Sequence, residues 1–170
     1  VDRLASELIE LSTRHNFVHW LRIGAVYRGW ALSASGDTLE GLAWIEQGIR
    51  DFRATGSVLV LPYFLTLKAE ALHLADRPSE ALEAINEAEG LVERFEQRHC
   101  YAELHRLRGV FLAVLGAEET QIETSFCEAI RIAKEQKSVS AAKRAEATYA
   151  EYRRQKANAS GGRRFRLPLG

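Results

Sequence analysis

Apolar and small residues recur along residues 17–35 at Phe17, Leu21, Gly24, Tyr27, Ala31 and Leu32, close to helical spacing, and predict an α-helix. Gly36 follows where a helix end favours a residue that tolerates a left-handed backbone, and Asp37 or Thr38 can cap the next helix. Leu42, Ile45, Ile49 and Phe52 mark that second helix, which stops at Gly56. Pro62 sits near the start of the next helix and Pro78 just inside the start of its partner, places where a missing N–H costs little.

The pattern then recurs with a period of 40 residues. Gly29, Ala69 and Gly109 hold one position, Leu32, Leu72 and Leu112 a second, and Gly36, Asp76 and Gly116 a third. Gly41 and Ala81, Ile45 and Ile85, and Gly48 and Ala88 keep the interval; Phe126 and Ala129 continue the last two at 41, so one extra residue is expected around 117–120. Each unit reads as two helices, with the small residues as points where two backbones cross closely. The units run about 17–56, 57–97 and 98–137. Residues 1–15 read as the second helix of a preceding unit, and 138–156 as an amphipathic closing helix with Ala145, Tyr149 and Tyr152 on one face. Residues 157–170 are Gly/Ser-containing and then basic, and are expected to be extended. The fold expected is all-α: a right-handed α-α superhelix of about seven helices.

Composition narrows the class. The 170 residues are 46% hydrophobic and 27% charged, a globular balance with 23 basic and 23 acidic residues and no global field for nucleic acid or anionic membrane. The longest apolar run, Val58–Leu61, is too short to span a bilayer. Two cysteines, Cys100 and Cys127, give no disulfide framework or zinc spacing and suggest a reducing cytoplasm. The chain has no Met and starts at Val1, so a longer parent protein is expected.

Small residues in the middle of the first helix, a glycine at its end and two more small residues in the second resemble the tetratricopeptide repeat. The clearest copy runs from Gly29-Trp30-Ala31-Leu32 to Gly36-Asp37 and on to Gly41, Ile45 and Gly48. The period is 40 rather than the usual 34, the closing proline is missing, and Ile122 replaces a small residue in the third copy. More narrowly, Arg28-Gly29-Trp30-Ala31-Leu32, Phe52-Arg53-Ala54-Thr55-Gly56 and Pro62-Tyr63-Phe64-Leu65 are similar to repeat regions at the C-terminal end of bacterial signalling ATPases, which carry a nucleotide cyclase or DNA-binding output domain. The resemblance implies a cytoplasmic sensor or scaffold arm that binds a protein, peptide or small effector and regulates the output domain.

Stacked first helices would line the concave face of such a solenoid, the default ligand surface. Trp30, Tyr63, Glu70, His73 and Arg106 are the residues expected to bind there, with Ile23, Val26, Thr66, Glu103 and Val110 on the same face. The competing reading packs Trp30 against a neighbouring helix. Arg28, Lys68 and Arg108 recur 40 apart between the apolar rows, with Glu40 and Glu80 as candidate partners. A structural ion-pair ladder is the first reading and an anion-binding row the sharper one.

No metal site or cofactor is expected. His15 and His19 have i, i+4 spacing, but a helix break falls between them, and no catalytic constellation is present; the chain reads as non-enzymatic. Between Lys143 and Arg166 eight basic residues face two acidic ones. A solvated cap is the first reading; folding back onto an acidic surface is another, and a nucleic-acid-associated protein is the alternative function, with Arg163-Arg164-Phe165-Arg166 the most motif-like segment. An incomplete solenoid would also expose its apolar end to a second copy at the N-terminal helix.

Overall fold

The computed structural model describes residues 1–96, 98–158 and Phe165. Among these, every regular element is helical. The helices are α1 (Asp2–Arg14), α2 (Val18–Ala34), α3 (Thr38–Arg53), α4 (Leu61–Leu74), α5 (Pro78–Phe95), α6 (Tyr101–Leu115), α7 (Glu119–Glu135) and α8 (Val139–Ala157), with a 3₁₀ turn at Arg98–Cys100 before α6. Among the described residues there are eight α-helices, against a count of about seven: the three expected pairs and the two expected flanking helices. The chain divides into two compact units, Val1–Leu91 and Val92–Gly170, with the boundary inside α5.

Helix ends follow a single rule. Every described residue with positive φ lies just after a helix. After α2, α4 and α6 these are Gly36 (106°), Asp76 (58°) and Gly116 (71°), at intervals of 40. After α1, α3, α5 and α7 they are Asn16 (55°), Gly56 (76°), Glu96 (54°) and Lys137 (54°), at intervals of 40, 40 and 41. The left-handed residue turns the chain so that two late N–H groups reach back to unsatisfied carbonyls. At α2 the Gly36 N–H donates to Ser33 O at 3.1 Å and the Asp37 N–H to Leu32 O at 3.0 Å. The same two bonds close α4, from Asp76 to His73 and Arg77 to Leu72, and α6, from Gly116 to Ala113 and Ala117 to Leu112. The extra residue falls between Gly116 and Glu119, within the stretch expected from sequence.

In the first unit, α2 packs against α1, α3 and α4, and α3 against α4. The α2–α3 contact runs through small residues. A Cβ on Gly29 would lie 2.5 Å from Gly41 O, one on Gly41 would lie 2.1 Å from Ser33 Oγ, and one on Gly48 would lie 2.7 Å from Val26 Cγ2 and 3.1 Å from Arg22 O. As positions on α2 descend from Ser33 to Arg22, their partners on α3 ascend from Gly41 to Gly48. The two helices are therefore antiparallel, as the three-residue connection requires. Phe52 of α3 meets Phe64 of α4 edge to face at 5.3 Å, both fully buried. Asp37 caps α3 by accepting from the Glu40 N–H at 3.3 Å, and Pro62 falls in the first turn of α4.

In the second unit, α7 packs against α6 and α8, and α6 against α8. Gly109 of α6 faces the Phe126 ring, which a Cβ would approach to 2.9 Å. On its other side Phe126 stacks with Tyr149 at 5.4 Å and meets Tyr152 at 5.7 Å. Phe126 holds the position of Ile45 in α3, so at Gly109 the α6–α7 contact is made by an aromatic side chain. Phe165 lies 5.0 Å from Tyr152; the rest of the expected basic segment, residues 159–164 and 166–170, lies outside the described residues.

Candidate ligand-binding face

Four of the five residues expected to bind a ligand belong to the first unit. Trp30 sits one residue beyond Gly29 on α2, and Glu70 one residue beyond Ala69 on α4. The Trp30 indole N–H donates to Glu70 Oε2 at 2.6 Å. Both side chains are half-buried. Tyr63, one turn from the start of α4, lies near Tyr27 of α2 with rings 6.3 Å apart. Tyr27 had no place among the expected site residues; its position two before Gly29 on a helix that faces α4 is the signal that could have found it. Trp30, Glu70, Tyr27 and Tyr63 thus form a half-buried aromatic wall with one carboxylate held in place by an indole. Such a wall combines apolar faces with hydrogen-bonding edges, the mixture that favours peptide over strongly charged ligands.

His73 lies one turn further along α4 and is half-buried. Burial lowers its pKa, and the nearby Asp76 carboxylate only partly offsets this. The neutral imidazole is therefore favoured. Three other positions assigned to the same face are enclosed: Val26 is held against Gly48, buried Thr66 donates to Tyr63 O at 2.7 Å, and Val110 of the second unit is fully buried.

Arg106 belongs to the second unit and is 0% exposed. Its guanidinium forks onto Glu103, with Nη2 2.6 Å from Oε1 and Nε 3.1 Å from both oxygens, and Nη1 donates to Thr148 Oγ1 of α8 at 3.3 Å. Arg144 adds a second cation 3.4 Å from Glu103. Thr148, unremarked in the sequence, donates in turn to the Arg144 carbonyl. A fully enclosed guanidinium with a bidentate carboxylate is an internal tie between α6 and α8.

The basic row differs in its partners from the expected ladder. Glu40 accepts from the Trp44 indole at 3.3 Å, and Glu80 pairs with Arg77 just before its own helix. Arg28 instead lies over the Trp44 ring at 4.7 Å, its buried Nε without a hydrogen bond. Lys68 meets Glu46 of α3 at 3.2 Å. Arg108 lies beside His105, where its charge adds to burial in lowering the imidazole pKa. Arg28 and Lys68 thus take different partners, because the helices bring Trp44 and Glu46 closer to them than Glu40 and Glu80.

Four of the five basic residues of α8, all but Lys143, are engaged within their unit, Arg144 with Glu103 as above. Lys156 pairs with Glu119, Arg154 with Glu151 on the same helix, and Arg153 lies over Tyr149 at 5.8 Å. The carboxylate–guanidinium contact holds Glu151 well below the ordinary range, at about 2. Cys100 is buried and its thiol is pushed up to about 11, the direction of an inert structural cysteine. His15 stacks on Phe17 and His19 packs near Phe52, with Asn16 turning the chain between them. Among the described residues no group of three His, Cys, Asp or Glu is placed to hold a metal, and no helix is long and apolar enough to cross a membrane.

No family model matches the chain. No solved structure matches it. Among curated proteins the chain is similar to an uncharacterized protein of Rhizobium meliloti (strain 1021), with 27% identity over 145 residues, which are 85% of this chain. The chain spans 14% of the length of that relative.

Proposed function

We propose that the chain is a non-catalytic, tetratricopeptide-like helical-repeat module that binds a protein or peptide segment. The observation that carries this reading is the spacing of the left-handed residues: 40 and 40 after the first helices, 40, 40 and 41 after the second. Seven helix ends that recur in this way give each helical pair the same turn, and a fixed turn per pair is the rule by which helical hairpins stack into a right-handed superhelix. The antiparallel α2–α3 crossing at Gly29, Gly41 and Gly48 supports the same reading. In such a stack α2 and α4 present Trp30, Tyr63 and Glu70 on the inner surface, with His73 at its edge.

The module belongs, in this proposal, to a larger cytoplasmic signalling protein of bacterial type, an ATPase or nucleotide cyclase whose output it regulates. The great length of the Rhizobium meliloti relative fits an arm within a multidomain chain. The pairing of Lys156, Arg153 and Arg154 within the second unit weighs against a nucleic-acid role for α8.

Selection of displayed linear peptides on the purified chain tests the reading, followed by titration of the best synthetic peptide. Trp30→Ala is expected to weaken binding by about thirtyfold, the loss of a central aromatic anchor. Raising salt should change the affinity little. Failure to select any peptide, indifference to Trp30→Ala in a folded variant, or binding of random-sequence DNA that falls steeply with salt would each sink the proposal.

A further inference from the structure

We propose that the first unit carries a second, small-molecule site between α1, α2 and α3, and that its ligand is a zwitterion with an apolar side chain, of the class of free hydrophobic α-amino acids. None of its residues belongs to the Trp30–Glu70 wall, so the inference stands apart from peptide binding.

The site is a pocket of about 360 Å³. Small-molecule sites occupy roughly 300–1,000 Å³. Ile9 of α1 and Val18, Leu21 and Ala25 of α2 make its apolar wall. The other wall is polar: Arg22 from α2, and Gln47 and Asp51 from α3, beside the Trp44 ring. Trp44 is held by the Arg28 guanidinium on its face and by Glu40 at its N–H, so the aromatic surface is already oriented.

The two charges decide the ligand. Arg22 is half-buried and makes no hydrogen bond or ion pair among the described residues. Of the other arginines of the first unit, Arg3, Arg14, Arg53 and Arg77 each have a carboxylate partner, Arg50 donates to Gln47 and Arg28 lies over Trp44. Asp51 accepts from Gln47 Nε2 at 2.8 Å, and Gln47 Oε1 accepts in turn from Arg50 Nη2 at 2.7 Å, so the carboxylate is oriented but has no direct ion pair among the described residues. Opposite charges therefore line one pocket with no ion pair between them. A purely anionic ligand would meet Asp51, a purely cationic one would meet Arg22, and a neutral hydrophobe would desolvate both. A zwitterion satisfies each in turn: carboxylate on Arg22, ammonium on Asp51, side chain against Ile9, Leu21 and Ala25.

Three probes separate these possibilities by calorimetric titration of the full chain: L-phenylalanine, 3-phenylpropionate, which lacks the ammonium, and phenethylamine, which lacks the carboxylate. L-Phenylalanine is expected to bind about tenfold or more tighter than either. Arg22→Gln should erase its advantage over phenethylamine, and Asp51→Asn its advantage over 3-phenylpropionate. Filling the pocket with Ala25→Leu should abolish all three interactions while circular dichroism stays helical. Equal affinity for the three probes, L-phenylalanine binding that survives both charge substitutions, or no saturation at millimolar concentration would overturn the proposal. Trp30→Ala leaves this site intact, so its failure and that of the peptide reading are told apart.

Discussion

Trp30 and Glu70 stand forty residues apart in sequence and 2.6 Å apart in space, indole N–H to carboxylate. The contact joins the same face of α2 and α4, each residue following a small one, Gly29 or Ala69, that lets its helix approach its neighbours. A half-buried indole N–H deprived of its acceptor bears most of its desolvation penalty. Glu70→Ala is therefore expected to destabilise the first unit by about 1–3 kcal/mol, and Glu70→Gln by less, since the amide oxygen still accepts. Trp20, Trp30 and Trp44 all lie in this unit, so tryptophan fluorescence during urea unfolding reports on it. A double-mutant cycle with Trp30→Phe should show coupling; strict additivity would mean that the bond contributes nothing to stability.

Two glycines in helices give opposite predictions. A Cβ at Gly41 would displace Ser33 Oγ from its bond to Gly29 O and would collide with the Gly29 carbonyl oxygen at 2.5 Å and the Ser33 backbone nitrogen at 2.7 Å, neither of which can move without separating α2 from α3. Gly90, within α5, has nothing within 4 Å of a Cβ and is exposed. Gly90→Ala should stabilise by roughly 0.5–1 kcal/mol through helix propensity alone. Gly41→Ala should destabilise by at least about 2 kcal/mol, as overpacking at a backbone crossing does. Paired thermal melts of the two variants check both signs.

The same glycines show how far a sequence can be read. Helix boundaries and the crossing of α2 on α3 were legible because glycine is costly in a helix interior, so its recurrence at Gly29, Gly41 and Gly48 marks a steric demand. Left-handed ends were legible at Gly36, Gly56 and Gly116 for the same reason. At Glu96 and Lys137 residue type is silent, and only the period points to them. Partner choice was the illegible part. Glu40 and Glu80 share a register with the basic row, yet Lys68 reaches Glu46 and Arg28 reaches Trp44. Long side chains sweep several ångströms, so which charge meets which depends on helix rotation that spacing leaves undetermined. The pocket beside Arg22 was unread for a related reason: its wall joins three helices, and nothing in the local sequence marks Arg22 as an arginine that makes no hydrogen bond or ion pair among the described residues.

Removing Glu103 should harm the second unit more than removing the whole tie. Glu103→Gln strands a guanidinium that is 0% exposed, and a buried cation that loses its partner costs about 3–5 kcal/mol. Thr148 remains as a neutral acceptor, so the lower end of that range is expected. Combining Arg106→Met with Glu103→Gln removes the charge problem and retains the volume, and should restore much of the loss. Unfolding followed by far-ultraviolet circular dichroism compares the variants. A double variant as unstable as Glu103→Gln alone would show that the Arg106 network does more than neutralise its own charge.

Each unit also carries one histidine whose pKa is lowered. His73 is lowered by burial against a partial counter-effect from Asp76, and His105 by burial, with Arg108 adding to it. In both cases the folded state favours the neutral ring, so between the lowered folded value and the ordinary unfolded value of about 6.5 the unfolded chain binds more protons. Stability contributed by these rings is complete above that unfolded value and is lost as pH falls through the window below it. The melting temperature is expected to decline between pH 7.5 and 5.5, before the carboxylates of Glu80, Glu128 and Glu151 begin to protonate, since their pKa values are lowered too. His73→Gln should flatten the decline when tryptophan fluorescence follows the first unit. His105→Gln should leave that signal unchanged and flatten the part seen only by circular dichroism. A decline that persists undiminished in the double variant would assign the acid sensitivity to groups other than these two imidazoles.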